Sequence, residues 1–255
     1  MELFESSGKR VTIERELFRG GEGTIHPVAG NPSLFAKLYH RSIDVPKQAK
    51  LAAMATASDQ RLLRIAAWPT ATLHERPGGK MVGFVMPRFD GQRWELHDLY
   101  RPGTRKQTFR QADWAFLIHS ARNVAAAVAT VHDAGHVVGD VNQRNFLVGH
   151  DATVKVLDCD SFQIRGASRI FFCPVGVPEF TPPELQNRTL DGIERTPNHD
   201  AFGLAVLIFQ LLFMGRHPFA GRFLGAGDMP IERAIGEGRF AFGQTSRARL
   251  MEPPP

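Results

Sequence analysis

The spacing of apolar positions changes character about a third of the way along the chain. Over residues 11–40 apolar and polar residues alternate and are punctuated by glycine, which predicts strands joined by tight turns. Residues 46–64, PKQAKLAAMATASDQRLLR, have helical composition, and Pro46 suits a helix start. A hairpin is predicted over 68–89, as WPTATLHE, the turn Pro77-Gly78-Gly79, then KMVGFVMPRF. From Asp113 the period becomes helical. Trp114, Leu117, Ile118, Ala121, Val124, Ala125, Val128 and Val131 fall on one face, with Asp113 as N-cap and Gly135 as stop. Short apolar runs beside Asp140, Asn145 and Asp158 read as strands, and a second helix is predicted from near Asp200 to near Gly215. A strand-rich part, about 1–88, therefore precedes a helix-rich part, about 93–255, with the boundary near Arg88–Arg93.

Composition narrows the class. The 255 residues suffice for one large domain or two lobes, and 43% hydrophobic with 22% charged residues is ordinary for a soluble globular protein. The N-terminal MELFESSGKR has no apolar core and does not read as a signal peptide. The longest apolar run, Ala201 to Met214, contains Gln210 and is too short to cross a bilayer, so no membrane span is expected in this segment. Cys159 and Cys173 form neither a metal-type spacing nor a disulfide framework, which points to a reducing, cytoplasmic setting. The formal charge is +5, but Lys and Arg are scattered, without a run and without interleaved aromatics. That surface suits an anionic nucleotide better than a nucleic acid, and no nucleic-acid partner is expected. There is no internal repeat and no low-complexity stretch before Pro253-Pro254-Pro255.

Candidate chemistry is concentrated in VHDAGHVVGDVNQRNFLV at 131–148 and VKVLDCDSF at 154–162. These place Asp140 five residues before Asn145 and eighteen before Asp158. A carboxylate, an amide and a second carboxylate on one rigid platform suit phosphoryl transfer, the first orienting a hydroxyl and the other two holding magnesium on a nucleotide's phosphates. Upstream, LFRGGEGTI at 17–25 sets a glycine-rich turn between two strands, where backbone N–H groups approach phosphate oxygens closely. LFAKLY at 34–39 puts Lys37 inside an apolar strand, where it needs an anionic partner such as a phosphate, or else snorkels to the surface. Downstream lie VGVPEFTPPEL at 175–185 and NHDAFGLAVLIFQLL at 198–212. Taken singly, Asp140 and Asn145 also fit as turn residues and Asp200 as a plain N-cap.

The order of these motifs, over nearly the entire chain, resembles the eukaryotic-like (Hanks-type) protein kinases. The GGEG loop and the VMPR hinge bring it closer to a divergent bacterial subgroup of them. The resemblance implies an α+β, bilobal protein-kinase-like fold with ATP between the lobes. The N-lobe, an antiparallel β-sheet plus one helix, would occupy 1–88 and the hinge 89–92. A mainly α-helical C-lobe would occupy 93–250, and 251–255 would start a linker. It implies that Gly20, Gly21, Gly23 and Ile25 cover the nucleotide, with Phe18 where the first glycine of the loop would be. Lys37 would contact the α- and β-phosphates. Met86 would gate the adenine pocket, and Pro87, Arg88 and Phe89 would form the hinge, the Pro87 carbonyl accepting and Phe89 donating. Asp140 and Asn142 would belong to the catalytic loop, while Asn145 and Asp158 would ligate magnesium. Glu184 would close the activation segment, and Asp200 would bond the catalytic loop.

Departures from the pattern bear on activity. Gly139 replaces an arginine that gathers an activation-loop phosphate, so activity is expected not to depend on loop phosphorylation. Asn142 replaces a lysine that neutralises the γ-phosphate, and Val177 replaces the threonine that bonds the same aspartate and lysine. Residues 45–58 contain no Asp or Glu, so the helix after Lys37 offers it no carboxylate. Gln48, Asp44, Asp59 and Glu22 remain as candidate partners. Asp160 reads as a turn residue in the usual glycine's place, or as a spare metal ligand. Forty residues follow Gly215, so the last helices, with the arginine that pairs with Glu184, are expected beyond Pro255 or absent. Ser161, Ser168 and Thr181 are candidates for self-phosphorylation or simple turn caps. The expected function is ATP- and magnesium-dependent phosphorylation of serine or threonine on a protein substrate. The alternative is a pseudokinase that binds nucleotide as a scaffold, which the missing helix glutamate, Asn142 and Val177 favour. A small-molecule kinase is disfavoured by VGVPEFTPPEL, which resembles a peptide-docking segment.

Overall fold

In the computed structural model, which describes residues 1–89, 91–245 and 249–254, the alternating N-terminal positions do form strands. The chain divides into two compact units. The first holds Met1–Gly91 together with Lys155–Asp160 and Ile164–Phe171, and the second holds Gln92–Val154, Ser161–Gln163 and the chain from Phe172 on. Two of the expected segments, the hinge at 89–92 and the linker at 251–255, include Asp90 and Pro255, which lie outside the described residues.

The strands of the first unit are β1 (Glu2–Glu5), β2 (Arg10–Thr12), β3 (Phe18–Arg19), β4 (Gly23–Val28), β5 (Asn31–Tyr39), β6 (Ala71–His74) and β7 (Met81–Pro87). They pair antiparallel in the order β2-β1-β6-β7-β5-β4-β3. Alternation buries one face of the sheet, where Leu3, Val11, Ile13, Val28, Ala36, Leu73 and Val85 form a core. Gly23 is demanded by close approach: a Cβ there would sit 2.2 Å from the Leu38 carbonyl oxygen, so only glycine lets β4 lie against β5. The predicted single helix over 46–64 is instead two, α1 (Val45–Thr56) and α2 (Gln60–Ile65). The cause is Asp59, whose carboxylate accepts from Arg61 N at 2.7 Å and Leu62 N at 2.9 Å and so starts a new helix where composition alone runs on. Trp68, fully buried, ties α1 down by donating Nε1–H to the Met54 carbonyl at 2.8 Å.

The second unit begins with β8 (Arg93–Glu95), α3 (Leu96–Tyr100), α4 (Pro102–Thr108), α5 (Trp114–Asp133) and β9 (Phe146–Gly149), β8 and β9 pairing antiparallel. The chain then passes through β10 (Val154–Val156) into the first unit, where β11 (Ile164–Arg165) and β12 (Ile170–Phe171) form a hairpin. It returns for α6 (Pro197–Leu212), β13 (Arg222–Phe223), α7 (Ile231–Gly236) and β14 (Met251–Glu252). Asp113 caps α5 as expected, accepting from Phe116 N at 2.8 Å. The buried stripe of α5 is Leu117, Ser120, Ala121, Val124, Ala127, Val128 and Val131, whereas Trp114 and Ile118 are 57% and 46% exposed. The small residues Ser120 and Ala127 thus take the inward positions, which turns the helix away from the face its bulky residues suggested. Residues 251–254 do not behave as a linker. Here β14 pairs with β13, Glu252 accepts from Arg222 Nε at 3.0 Å, and Pro254 O accepts from Arg216 Nη1 at 2.9 Å. Among the described residues no helix is long and apolar enough to cross a membrane.

Candidate functional site

In the first unit, Lys37 occupies the middle of β5, with Ile25 and Phe84 as its cross-strand neighbours. Its side chain is 12% exposed and its Nζ meets three carboxylate oxygens. Asp160 Oδ1 and Oδ2 lie at 2.8 and 2.9 Å, and Asp158 Oδ1 lies at 3.1 Å. Lys47, projecting from α1, reaches Glu22 at 3.0 Å and Asp160 at 3.5 Å, and its ammonium sits 4.5 Å from the Tyr39 ring centroid. The Tyr39 hydroxyl donates to Asp160 Oδ2. Of the four partners considered from the sequence, only Glu22 comes near Lys37, at 4.0 Å. Gln48 donates to the Ile43 carbonyl, and Asp44 and Asp59 cap helices. The residue that holds Lys37 is Asp160, and it is not a surface turn: its side chain is 2% exposed.

Charge in this cluster is set by competition between burial and pairing. Burial works against the Lys37 ammonium, but Asp160 and then Asp158 outweigh it and raise its pKa. Burial likewise works against the Asp160 carboxylate, yet Lys37 and then Lys47 pull its pKa down to about 2. The stability contributed by this depressed carboxylate is present above its unfolded value, near pH 4, and is lost as pH falls towards 2. Burial, then Asp160, raises Tyr39, which stays a neutral donor. Cys159 is completely buried, and burial followed by the neighbouring carboxylates pushes its thiol well above the ordinary range. Asp158 adopts φ +54°, the left-handed region that Asp tolerates better than most residues.

The other positions of the first unit expected to meet nucleotide follow from the sheet. Gly20 N donates to Gly23 O at 2.9 Å, closing the turn that contains exposed Gly21, while Phe18 at its rim is 63% exposed. Met86 is buried on β7 opposite Phe35, and Pro87 ends that strand opposite Leu34. Arg88 N donates to Ser33 O at 2.8 Å, and the Lys155 ammonium lies 5.1 Å from the Phe89 ring centroid.

In the second unit the loop after α5 is anchored from α6. Asp200, buried in the first turn of α6, accepts from Val138 N at 2.8 Å through Oδ2 and from Gly139 N at 2.8 Å through Oδ1. His132 Nε2 lies 2.8 Å from the same Oδ2. Below this anchor the loop is braced by its own amides. Asn145 Nδ2 donates to the Asp140 carbonyl at 2.9 Å, which leaves its amide oxygen as the atom it can offer a ligand. Asn142 is buried, accepts from Arg144 N at 3.0 Å, and directs Nδ2 to the Asp140 carbonyl at 3.3 Å. Glu184 lies 3.6 Å from His199 Nε2, and His199 Nδ1 accepts from Thr196 N at 3.0 Å in a capping box at the start of α6. A histidine within the chain thus stands beside Glu184, whose arginine partner was expected beyond Pro255 or absent. Thr181 is buried with its hydroxyl donated to the Val177 carbonyl at 2.9 Å, a turn cap.

Arg195 has no counterpart among the positions singled out by sequence. It is 3% exposed and donates Nη1 to the Gly139 carbonyl at 2.9 Å and Nη2 to the Val175 carbonyl at 3.1 Å. It therefore joins the loop after α5 to the segment after Phe172 through neutral carbonyls. Gly139 itself sits at φ +76° with Cys173 packed where a side chain would go, a Cβ there meeting Cys173 Cβ and Sγ at 2.7 Å. Gly139→Ala is expected to destabilise the protein by about 2 kcal/mol or more in urea unfolding, from backbone strain plus the clash. An arginine at this position is incompatible with the packing.

No protein-family model matches the chain. Over its whole length it is 45% identical to protein kinase YegI of Escherichia coli K12, and over 99% of its length 46% identical to protein kinase YegI of E. coli O157:H7. The chain spans only 40% and 39% of those two proteins. Human protein kinase C eta type is 28% identical over 44% of the chain and 16% of that protein. Among solved structures, the ROP18 kinase domain in complex with AMP-PNP and sucrose matches 85% of the chain and 68% of its own, with TM-score 0.58 and 14% identity. ROP2 from Toxoplasma gondii, described as a virulence factor with a protein-kinase fold and no enzymatic activity, matches 98% of the chain and 76% of its own, with TM-score 0.59 and 15% identity. With its seven-stranded antiparallel sheet, its helical second unit and these likenesses, the chain is a divergent protein-kinase-like domain with an α+β, two-lobed fold.

Proposed function

We propose that this domain binds Mg-ATP and transfers the γ-phosphoryl group to a serine or threonine of a protein substrate in the cytoplasm. The observation that carries this reading is the 3.1 Å pair between Lys37 Nζ and Asp158, which brings the strand cation to the acid that would hold the metal. Asp158 is partly exposed and offers carboxylate oxygens, Asn145 an amide oxygen; such hard oxygen donors are what magnesium takes. Magnesium, when bound, offsets the charge that gathers on the transferring phosphoryl oxygens. The N–H groups of Gly20, Gly21 and Gly23 and the Lys37 ammonium would hold the phosphates. Ile25, Met86, Pro87 and Phe89 would line the base. Asp140 would accept the proton of the attacking hydroxyl. Asn142, spent on loop backbone, would shape the loop rather than touch phosphate. The Arg195 link supports activity without loop phosphorylation, and Cys173 and Cys159, both buried, suit a reducing compartment.

The second reading, a nucleotide-binding scaffold, draws on the same Asn142 geometry, which removes a cation from the transfer step, and on the likeness to ROP2. The test is transfer of labelled γ-phosphate from Mg-ATP to the protein itself and to a generic basic protein, with the ATP-induced rise in Tm as the binding readout. Wild type is expected to incorporate label, and Asp158→Ala is expected to weaken magnesium-dependent ATP binding at least about tenfold. Undiminished magnesium-dependent binding by Asp158→Ala would overturn the site assignment; binding without transfer by wild type would select the scaffold.

A further inference from the structure

We infer that Asp160 is the positioning residue for Lys37, and that the charge arrangement between the first helix and the strand lysine is inverted in this protein: the acid lies on the segment after β10 and the helix contributes a cation, Lys47. The inference rests on the phosphoryl-transfer reading for its consequence, but the pairing stands on geometry of its own. Residues 45–58 hold no carboxylate, so α1 has nothing to offer Lys37. Asp160 meets it with both oxygens, at 2.8 and 2.9 Å, from a side chain 2% exposed. A buried carboxylate is tolerated only when paired and hydrogen-bonded. Three neighbours serve that end, Lys37, the Tyr39 hydroxyl and Lys47 at 3.5 Å, against the carboxylates of Glu22 and Asp158 within 4.8 Å.

The inversion changes what orients the strand lysine. A carboxylate carried on the helix makes the lysine's position depend on where the helix lies. Asp160 is two residues from Asp158, so one short segment supplies both the acid that aims Lys37 and the acid proposed to bind metal. Lys47 ties α1 to that segment, and by reaching Glu22 at 3.0 Å it ties α1 to the glycine-rich turn as well. Loss of Asp160 would leave Lys37 with Asp158 as its nearest acid, pulling toward the lysine the carboxylate that the metal requires.

The experiment measures Lys37 directly. Wild type and Asp160→Asn are treated with acetic anhydride at pH 9, and the acetylation rate of Lys37 is followed by peptide mass spectrometry, alongside Mg-ATP affinity and the KM and kcat for transfer. In folded Asp160→Asn, Lys37 is expected to acetylate about tenfold faster or more, because it loses the charged pair of oxygens that holds its amine away from the reagent. The KM for ATP is expected to rise and kcat to fall, both about tenfold, as a misaimed phosphate contact would produce. Lys47→Glu combined with Asp160→Asn, which moves the acid onto the helix, is expected to melt above Asp160→Asn alone and to protect Lys37 again. An unchanged acetylation rate in folded Asp160→Asn overturns the inference, as do equal Tm and equal Lys37 reactivity in the single and double variants. Faster acetylation in a protein that neither binds nor transfers from Mg-ATP would sustain the pairing while rejecting the phosphoryl-transfer function.

Discussion

Asp140→Asn is expected to lower the rate of phosphoryl transfer by about a thousandfold while leaving the protein folded and Mg-ATP binding within a few-fold of wild type. The expectation comes from how the loop is built. The Asp140 carbonyl, not its side chain, takes the 2.9 Å bond from Asn145 and the 3.3 Å approach of Asn142, so the loop's bracing survives the substitution. The side-chain carboxylate is 3.4 Å from Asn145 Nδ2, a distance an amide can also occupy. The exchange thus removes the proposed proton acceptor and one negative charge while leaving the backbone contacts of the loop in place. General-base assistance is worth about a hundred- to ten-thousandfold when the acceptor is well placed, which sets the scale of the loss. Initial rates of labelled γ-phosphate transfer, with the ATP-induced Tm shift measured on the same preparations, separate chemistry from binding. A rate within tenfold of wild type would show that another group accepts the proton.

What was legible in the sequence divides by the distance over which the information acts. Elements whose ends are marked locally were readable: Asp113 and Gly135 bracket α5, and the Pro77-Gly78-Gly79 turn sits between β6 and β7. The break at Ser58-Asp59 was not, because Asp59 makes its cap inside a run whose composition stays helical. The inward face of α5 was readable at Leu117, Ala121, Val124, Val128 and Val131, but its edge was not: small Ser120 and Ala127 are buried in place of Trp114 and Ile118. In the site, Asp140, Asn145, Lys37 and Asp158 stood out by motif order, and the Asp200 anchor followed from the resemblance. Asp160 did not stand out, since its partner is 123 residues away and no local pattern names a partner at that separation. A signal was nonetheless present in complementary form. A helix that lacks acid and carries Lys47, and an extra acid two residues after Asp158, are each odd alone and consistent together. Arg195 was invisible for another reason: it bonds backbone carbonyls, which every sequence has.

Asp200→Asn is expected to cost about 3–5 kcal/mol of stability and to abolish transfer, a larger structural effect than any other single change near the site. Both carboxylate oxygens are committed, Oδ2 to Val138 N and His132 Nε2, Oδ1 to Gly139 N, each at 2.8 Å. The side chain is 1% exposed, so water cannot replace a lost bond. An asparagine keeps the shape but can present an oxygen to only one of the two backbone donors; its NH₂ would face the other, N–H against N–H. One buried amide proton is then left without an acceptor, and a charge-assisted bond becomes a neutral one. The consequence for activity runs through the chain itself. Val138 and Gly139 directly precede Asp140, and the Gly139 carbonyl is the one that Arg195 grips. Releasing these two N–H groups loosens the loop just before Asp140, the proposed proton acceptor, and loosens with it the tie to Val175. Urea unfolding and labelled transfer, measured together, test this chain of effects. A variant of wild-type stability would mean that the loop finds its shape without the α6 anchor. A variant that is destabilised yet transfers at the wild-type rate would separate the anchor's structural role from the placement of Asp140.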